Sequence, residues 1–216
     1  MKKLLITLIL PATLAGFAAV AQAQDAKAGE KKNAMCIGCH GIPGYQSSFP
    51  MVHKVPMIAG QNAKYIAAAL VAYQKGERKH PSMRAVAASL SEQDILDLAA
   101  FYEQQGKGAE PAPKTAAEPS AQVAALLAKG NCASCHGANF STPIDPSYPK
   151  IGGQHGDYLY TALKAYQLPK GDQVGRANPV MGGMAAPFSN KELKLLADYF
   201  ASLPGEVRTV PESRFR

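Results

Sequence analysis

Apolar residues recur at helical spacing along six stretches of the chain, and the six fall into two sets of three. Asp25 to Met35 and Ser120 to Lys129 form the first pair, and Asn62 to Tyr73 and His155 to Tyr166 the second. Ser91 to Gln104 and Ser189 to Leu203 form the third, each opening with Ser-x-x-Asp/Glu, the capping signature of a helix start. No segment alternates convincingly between apolar and polar as a half-buried strand would. The pattern predicts an all-α protein.

The two sets are copies of one another. Ile58-Ala59-Gly60-Gln61 returns as Ile151-Gly152-Gly153-Gln154; Tyr65, Leu70 and Tyr73 return as Tyr158, Leu163 and Tyr166; Ser91 and Leu98 return as Ser189 and Leu196. The first two groups are offset by 93 positions and the last by 98, so loops changed length while the elements between them did not. The duplication predicts one unit over residues 24–105 and a second over 121–205, followed by a tail over 206–216. Between the units, residues 106–120 (GKGAEPAPKTAAEPS) read as a linker without apolar periodicity.

The N-terminus precedes this pattern. Lys2 and Lys3, an apolar run from Leu4 to Val20 and the small-residue site Ala21-Gln22-Ala23 read as a secretory signal over residues 1–23. The competing reading is an uncleaved membrane anchor, which Pro11, Thr13 and Gly16 in a short run disfavour. Export predicts a periplasmic protein whose mature chain starts near Gln24. Taking Lys2 and Lys3 from the 23 basic residues leaves 21 against 16 acidic ones, a formal net of +5. That modest charge suits docking to acidic redox partner proteins. No Lys/Arg cluster interleaved with aromatics is present, which argues against nucleic acid as a partner.

All four cysteines fall in two pentads, Cys36-Ile37-Gly38-Cys39-His40 and Cys132-Ala133-Ser134-Cys135-His136. Two thiols at this spacing can add to the vinyl groups of one porphyrin while the adjoining imidazole reaches the iron, so the pentads predict two covalently bound haem c groups. A ribbon-type zinc site would set the pairs about 15 to 20 residues apart, whereas 96 positions separate them here. A thioredoxin-like redox pair would sit in a βαβ pattern, and neither pentad does. Units of about 80 residues bury little apolar surface by themselves, so a large apolar cofactor becomes part of the core.

An electron carrier fills both axial positions of its iron, and a Met thioether opposite His favours the reduced state. Met51 and Met57 follow His40 too closely for the chain to cross to the far haem face. Met83 and Met181 lie 43 and 45 residues after their histidines, in aligned segments that run into the last helix of each unit, and are the predicted ligands. Met184 competes with Met181, and His80 with Met83, although Arg78-Lys79-His80 reads as a solvated basic loop. His53 and His155 read as surface residues or supports of the site. Pro56 and Pro149, two residues before each repeated Ile-x-Gly-Gln, are placed to offer a carbonyl to the ligand histidine's second nitrogen. Lys75, Arg78, Lys79 and Arg84 in one unit, with Lys164, Lys170 and Arg176 in the other, are expected to ring the Met side of each haem as a docking surface.

With both pentads, both Met segments and both Pro-x-Ile-x-Gly-Gln runs, the chain resembles the di-haem cytochrome c4 family over nearly its whole mature length. The resemblance implies two tandem cytochrome c-like helical domains related by an approximate twofold axis, with haem edges close together. It implies a soluble or peripherally membrane-associated periplasmic carrier between a quinol-oxidising cytochrome bc complex and a terminal oxidase, with no small-molecule substrate. The alternatives are the cytochrome subunit of a larger dehydrogenase and a di-haem peroxidase-type or thiosulfate-oxidising enzyme. The insert from Tyr45 to Lys54, with Met51 and His53, departs from the family pattern and bears on the contacts between the haems.

Overall fold

The computed structural model describes residues 24–108, 110–168, 171 and 173–211. The signal read at residues 1–23 lies outside the described residues. In the first unit α1 (Ala26–Lys32), α2 (Ala34–His40), α3 (Ala63–Gln74), α4 (Pro81–Ala88) and α5 (Glu92–Gln104) follow one another, interleaved with two-residue strands β1 (Gln46–Ser47), β2 (His53–Lys54) and β3 (Arg78–Lys79). The second unit repeats the order with α6 (Ala121–Lys129), α7 (Ala133–His136), α8 (Gly156–Tyr166), β4 (Gly175–Arg176), α9 (Pro179–Ala185) and α10 (Asn190–Ser202). No helix among the described residues is long and apolar enough to cross a membrane.

Helices begin where a side chain can satisfy the free N–H groups of the first turn. The Asp25 carboxylate accepts from Lys27 and Ala28, and Ser120 accepts from Val123. Ser91 with Asp94, and Ser189 with Glu192, complete the two capping boxes that the pattern predicts. The last helix of each unit then organises its core: α5 packs on α1 and α3, and α10 on α8 and α6. Leu98, Phe101 and Tyr102 of α5 meet Ala63 and Ile66 of α3 in one apolar cluster; Leu193, Leu196 and Phe200 of α10 meet Leu126, Leu159 and Phe188 in the other. At the α1–α5 crossing a Cβ on Gly29 would stand 2.1 Å from the Asp97 carbonyl oxygen, so only glycine lets the helices approach this closely.

The structure differs from the sequence pattern in two places. The segments preceding the last helices form helices of their own, α4 and α9, each started by a proline at its first position. Among the described residues four strands exist where none is expected, each too short for its two residues to show alternation. β1 and β2 pair antiparallel and close the insert into a hairpin, while β3 pairs with β4 across the two units. The residues after α10 also cross over, with Arg208 N–H donating to the Ala59 carbonyl at 3.0 Å and its guanidinium to the Gln105 carbonyl at 2.8 Å.

Asp97, 2% exposed, ties the start of the first unit to its last helix by accepting from the Asp25 amide, Lys32 Nζ and Gln93 Nε2. Hydrogen bonds from Lys32 and Ser91 hold the neighbouring Asp94 carboxyl down to about 2. Burial raises Asp97, but Lys32, the Asp25 amide and Gln93 outweigh it and leave its pKa low. Both folded values lie below the ordinary 3.8, so the stabilisation is complete above that pH and is lost as pH falls through the folded values. The unfolding midpoint of the holoprotein should therefore drop between about pH 4 and pH 2. Asp97→Ala should cost about 1 to 3 kcal/mol at neutral pH and shrink that drop, as read by denaturant titration at each pH.

Candidate haem-iron sites and the seam between them

The first pentad lies in α2 and the second runs from the N-cap residue Cys132 through α7, and none of the four cysteines is in a disulfide. His40 Nδ1 lies 2.8 Å from the Pro56 carbonyl oxygen and His136 Nδ1 lies 2.9 Å from that of Pro149. A carbonyl only accepts, so each Nδ1 carries the proton and each Nε2 is left with a free lone pair. Burial lowers the pKa of both imidazoles and outweighs the opposing pull of the carbonyls; Arg78 lowers His40 further. A neutral imidazole with Nε2 open is the form that ligates iron. Among the described residues no three His, Cys, Asp or Glu side chains converge as a protein metal cage requires. Two thiols beside one imidazole instead match the donor set that tethers a porphyrin.

Met83 and Met181 occupy the third position of α4 and α9 and are both half-buried. Each backbone N–H donates to the capping side chain three residues earlier, His80 Nδ1 at 3.5 Å and Asn178 Oδ1 at 2.9 Å. The far ends of both helices are held alike: Gln74 donates to the carbonyls of Ala87 and Leu90, and Gln167 to those of Ala185 and Phe188. His80 is thus a helix cap, with its other nitrogen 3.4 Å from Ser47 Oγ, and burial together with His53 presses its pKa down to about 4. Met184 is 44% exposed, and Met57 belongs to the loop that holds His40.

The units meet along a seam that the sequence pattern does not reveal. Arg78 and Arg176 stand directly opposite each other in the β3–β4 pair. Arg78 donates to the hydroxyls of Tyr65 and Tyr158 at 3.2 and 2.8 Å, and Arg176 to those of Tyr166 and Tyr158 at 3.4 and 3.1 Å. Arg78 also covers the Tyr73 ring, as Arg176 covers that of Tyr166. Burial raises the Tyr158 phenol, but the two guanidinium groups outweigh it and draw its pKa down to about 8. These arginines are therefore not part of a solvated basic loop or an outer docking ring. The positions of Lys75, Lys79, Arg84 and Lys164 leave them for such a surface, while Lys170 lies outside the described residues. His53 is likewise not a surface residue: at 6% exposure it sits in the insert hairpin with its ring 5.9 Å from that of Tyr158. His155 is half-buried at the start of α8.

Like charges facing each other across a strand pair repel, and buried charge needs a counter-charge. Among the described residues neither arginine forms an ion pair with a carboxylate, and Arg78 Nε is buried without a hydrogen-bond partner. An anionic group with several oxygens would satisfy this seam, and haem carries two propionates. The residues present fit the cofactor.

The missed seam residues did leave a signal. Arg78 and Arg176 share the offset of 98 that relates Met83 to Met181, and His80 and Asn178 share it too. Gln61 and Gln154 recur at 93, yet as landmarks of the repeat they carried no role.

Comparison with known proteins agrees with this geometry. The Cytochrome c family profile matches residues 120–204. Cytochrome c4 of Pseudomonas aeruginosa is 31% identical, covering 94% of this chain and 100% of its own. The thiosulfate dehydrogenase electron acceptor of Stutzerimonas stutzeri is 32% identical and covers 78% of each chain. The crystal structure of reduced recombinant cytochrome c4 from Pseudomonas stutzeri matches with a TM-score of 0.61 at 26% identity, over 84% of this chain and 100% of that one. Twin pentads on duplicated helical units, and identity over nearly the whole length, establish that this chain belongs to the cytochrome c4 family, electron-transfer proteins with two c-type domains and two covalently bound haems.

Proposed function

We propose that this cytochrome carries electrons in the periplasm from a quinol-oxidising cytochrome bc complex to a terminal oxidase. Cys36 and Cys39 would tether one haem and Cys132 and Cys135 the other, with His40 and Met83 as the candidate iron ligands of the first and His136 and Met181 as those of the second. The observation that carries this reading is the twinned support: each histidine on a proline carbonyl, and each methionine at the third position of a helix held at both ends. When bound, each haem supplies a one-electron ferric–ferrous couple. His40 and His136 keep their Nδ1 protons on the carbonyls of Pro56 and Pro149 and present Nε2. Met83 and Met181 offer soft thioethers that favour the ferrous state. Arg78 and Arg176 would offset propionate charge, and the phenols of Tyr65, Tyr158 and Tyr166 orient the guanidinium planes.

A second reading, service to a thiosulfate dehydrogenase, is supported by the likeness to an electron acceptor of that enzyme. The reduction rate by a purified bc complex against that by a thiosulfate dehydrogenase separates the two. With either partner, reversing exposed Lys75 and Arg84 to Glu should slow the reaction, and raising salt should slow it in the parent protein, if an acidic face docks there.

Met83→Ala and Met181→Ala should each lower the potential of one haem by a sizeable part of the roughly 0.8 V that axial ligands span and open that iron to carbon monoxide. An optical redox titration with gas binding reads both effects; gas binding by Met51 or Met57 variants alone would sink the ligand assignment. Arg78→Gln and Arg176→Gln should lower both potentials, since each leaves propionate charge uncompensated beside ferric iron. Potentials unmoved by either change would remove the arginines from the cofactor's surroundings.

A further inference from the structure

Each unit reaches into the loop that holds the other unit's histidine. Gln154 accepts from the Met57 N–H at 3.0 Å through Oε1 and donates to the Met57 carbonyl at 2.8 Å through Nε2. Gln61 does the same to Lys150, accepting from its N–H at 2.9 Å and donating to its carbonyl at 2.9 Å. Both glutamines are buried, at 4% exposure, and each Oε1 also accepts the N–H of the next residue in its own chain segment. The glycines before them have φ of +85° and +74°, a conformation open to glycine that aims each glutamine across the seam.

The N–H of Met57 and the carbonyl of Pro56 belong to one peptide group. That peptide is hydrogen-bonded at both ends, by Gln154 of the second unit on one side and by His40 of the first on the other. The Pro149–Lys150 peptide is held in the same way, between Gln61 of the first unit and His136 of the second. Amide resonance links the two ends: a peptide whose N–H is already donating has a more negative oxygen, with cooperative strengthening of about 10–30% per bond. A stronger acceptor at Nδ1–H makes the imidazole a more basic iron ligand, which favours ferric iron.

We propose that Gln61 and Gln154 are crossed positioning residues, each setting through one peptide group the orientation and basicity of the iron histidine in the opposite unit. The potential of each haem then depends on the docking of the unit that does not contain it. This rests on His40 and His136 being the iron ligands.

The test uses the holoprotein and the variants Gln61→Met and Gln154→Met, which keep length and remove both hydrogen bonds without adding charge. Gln154→Met should raise the potential of the first unit's haem and leave the second's in place, and Gln61→Met should do the reverse. In ferric protein labelled with 15N-histidine, the Nδ1–H of His40 should exchange faster in Gln154→Met and that of His136 in Gln61→Met. Gln154→Glu retains an acceptor for the Met57 N–H and should return His40 exchange towards the parent rate. Shifts confined to the same unit, equal shifts at both haems, or equal acceleration in the Met and Glu variants would overturn the crossed arrangement. A parent protein without hyperfine-shifted Nδ1–H signals from His40 and His136 would instead overturn the ligand reading on which it rests.

Discussion

The hydrogen bond from each pentad histidine to a proline carbonyl is the contact on which the rest of this molecule depends. It selects the imidazole tautomer, leaves Nε2 with its lone pair free and requires a loop to be held within 3 Å of a short helix. Neither unit supplies all of that rigidity itself. The Pro56 and Pro149 loops are each held from across the seam by a glutamine, so the geometry of one site depends on the position of the other unit. The duplication is thus more than two independent carriers on one chain.

The seam carries an electrostatic demand that protein groups meet only in part. Two guanidinium groups face each other and share Tyr158, while Tyr65 accepts from Arg78 and Tyr166 from Arg176. Tyrosine hydroxyls satisfy donors but bring no full negative charge at neutral pH, which is why the arginines point to an anionic cofactor as partner. The insert hairpin adds to the asymmetry. It places His53 against Tyr158 and donates the Lys54 N–H to Asp157 near the start of α8.

Much of the fold was legible in the residues. Helix starts, the repeat and the pentads are local: a serine three positions before an acidic residue, a recurrence at fixed offset, five residues in a row. The helices α4 and α9 were less visible because each is short and has a small buried face, with Ala87 and Ala185 as its fully buried residues. The burial of Arg78 is hidden in the sequence for a related reason. A cation between Glu77 and Lys79 is solvated in most chains, and the tyrosines that receive it come from helices 13 and 80 positions away.

The sequence alone therefore determined the all-α duplicated architecture, the cofactor class and the candidate thiols and histidines, because each rests on bonding within a few residues or on periodicity along one helix. Tertiary structure decided what faces what. The opposition of Arg78 and Arg176, the crossing of Gln61 and Gln154 and the burial of His53 arise only when the two units dock. Their partners are long-range, and hydrogen bonds and desolvation act through space without regard to spacing along the chain.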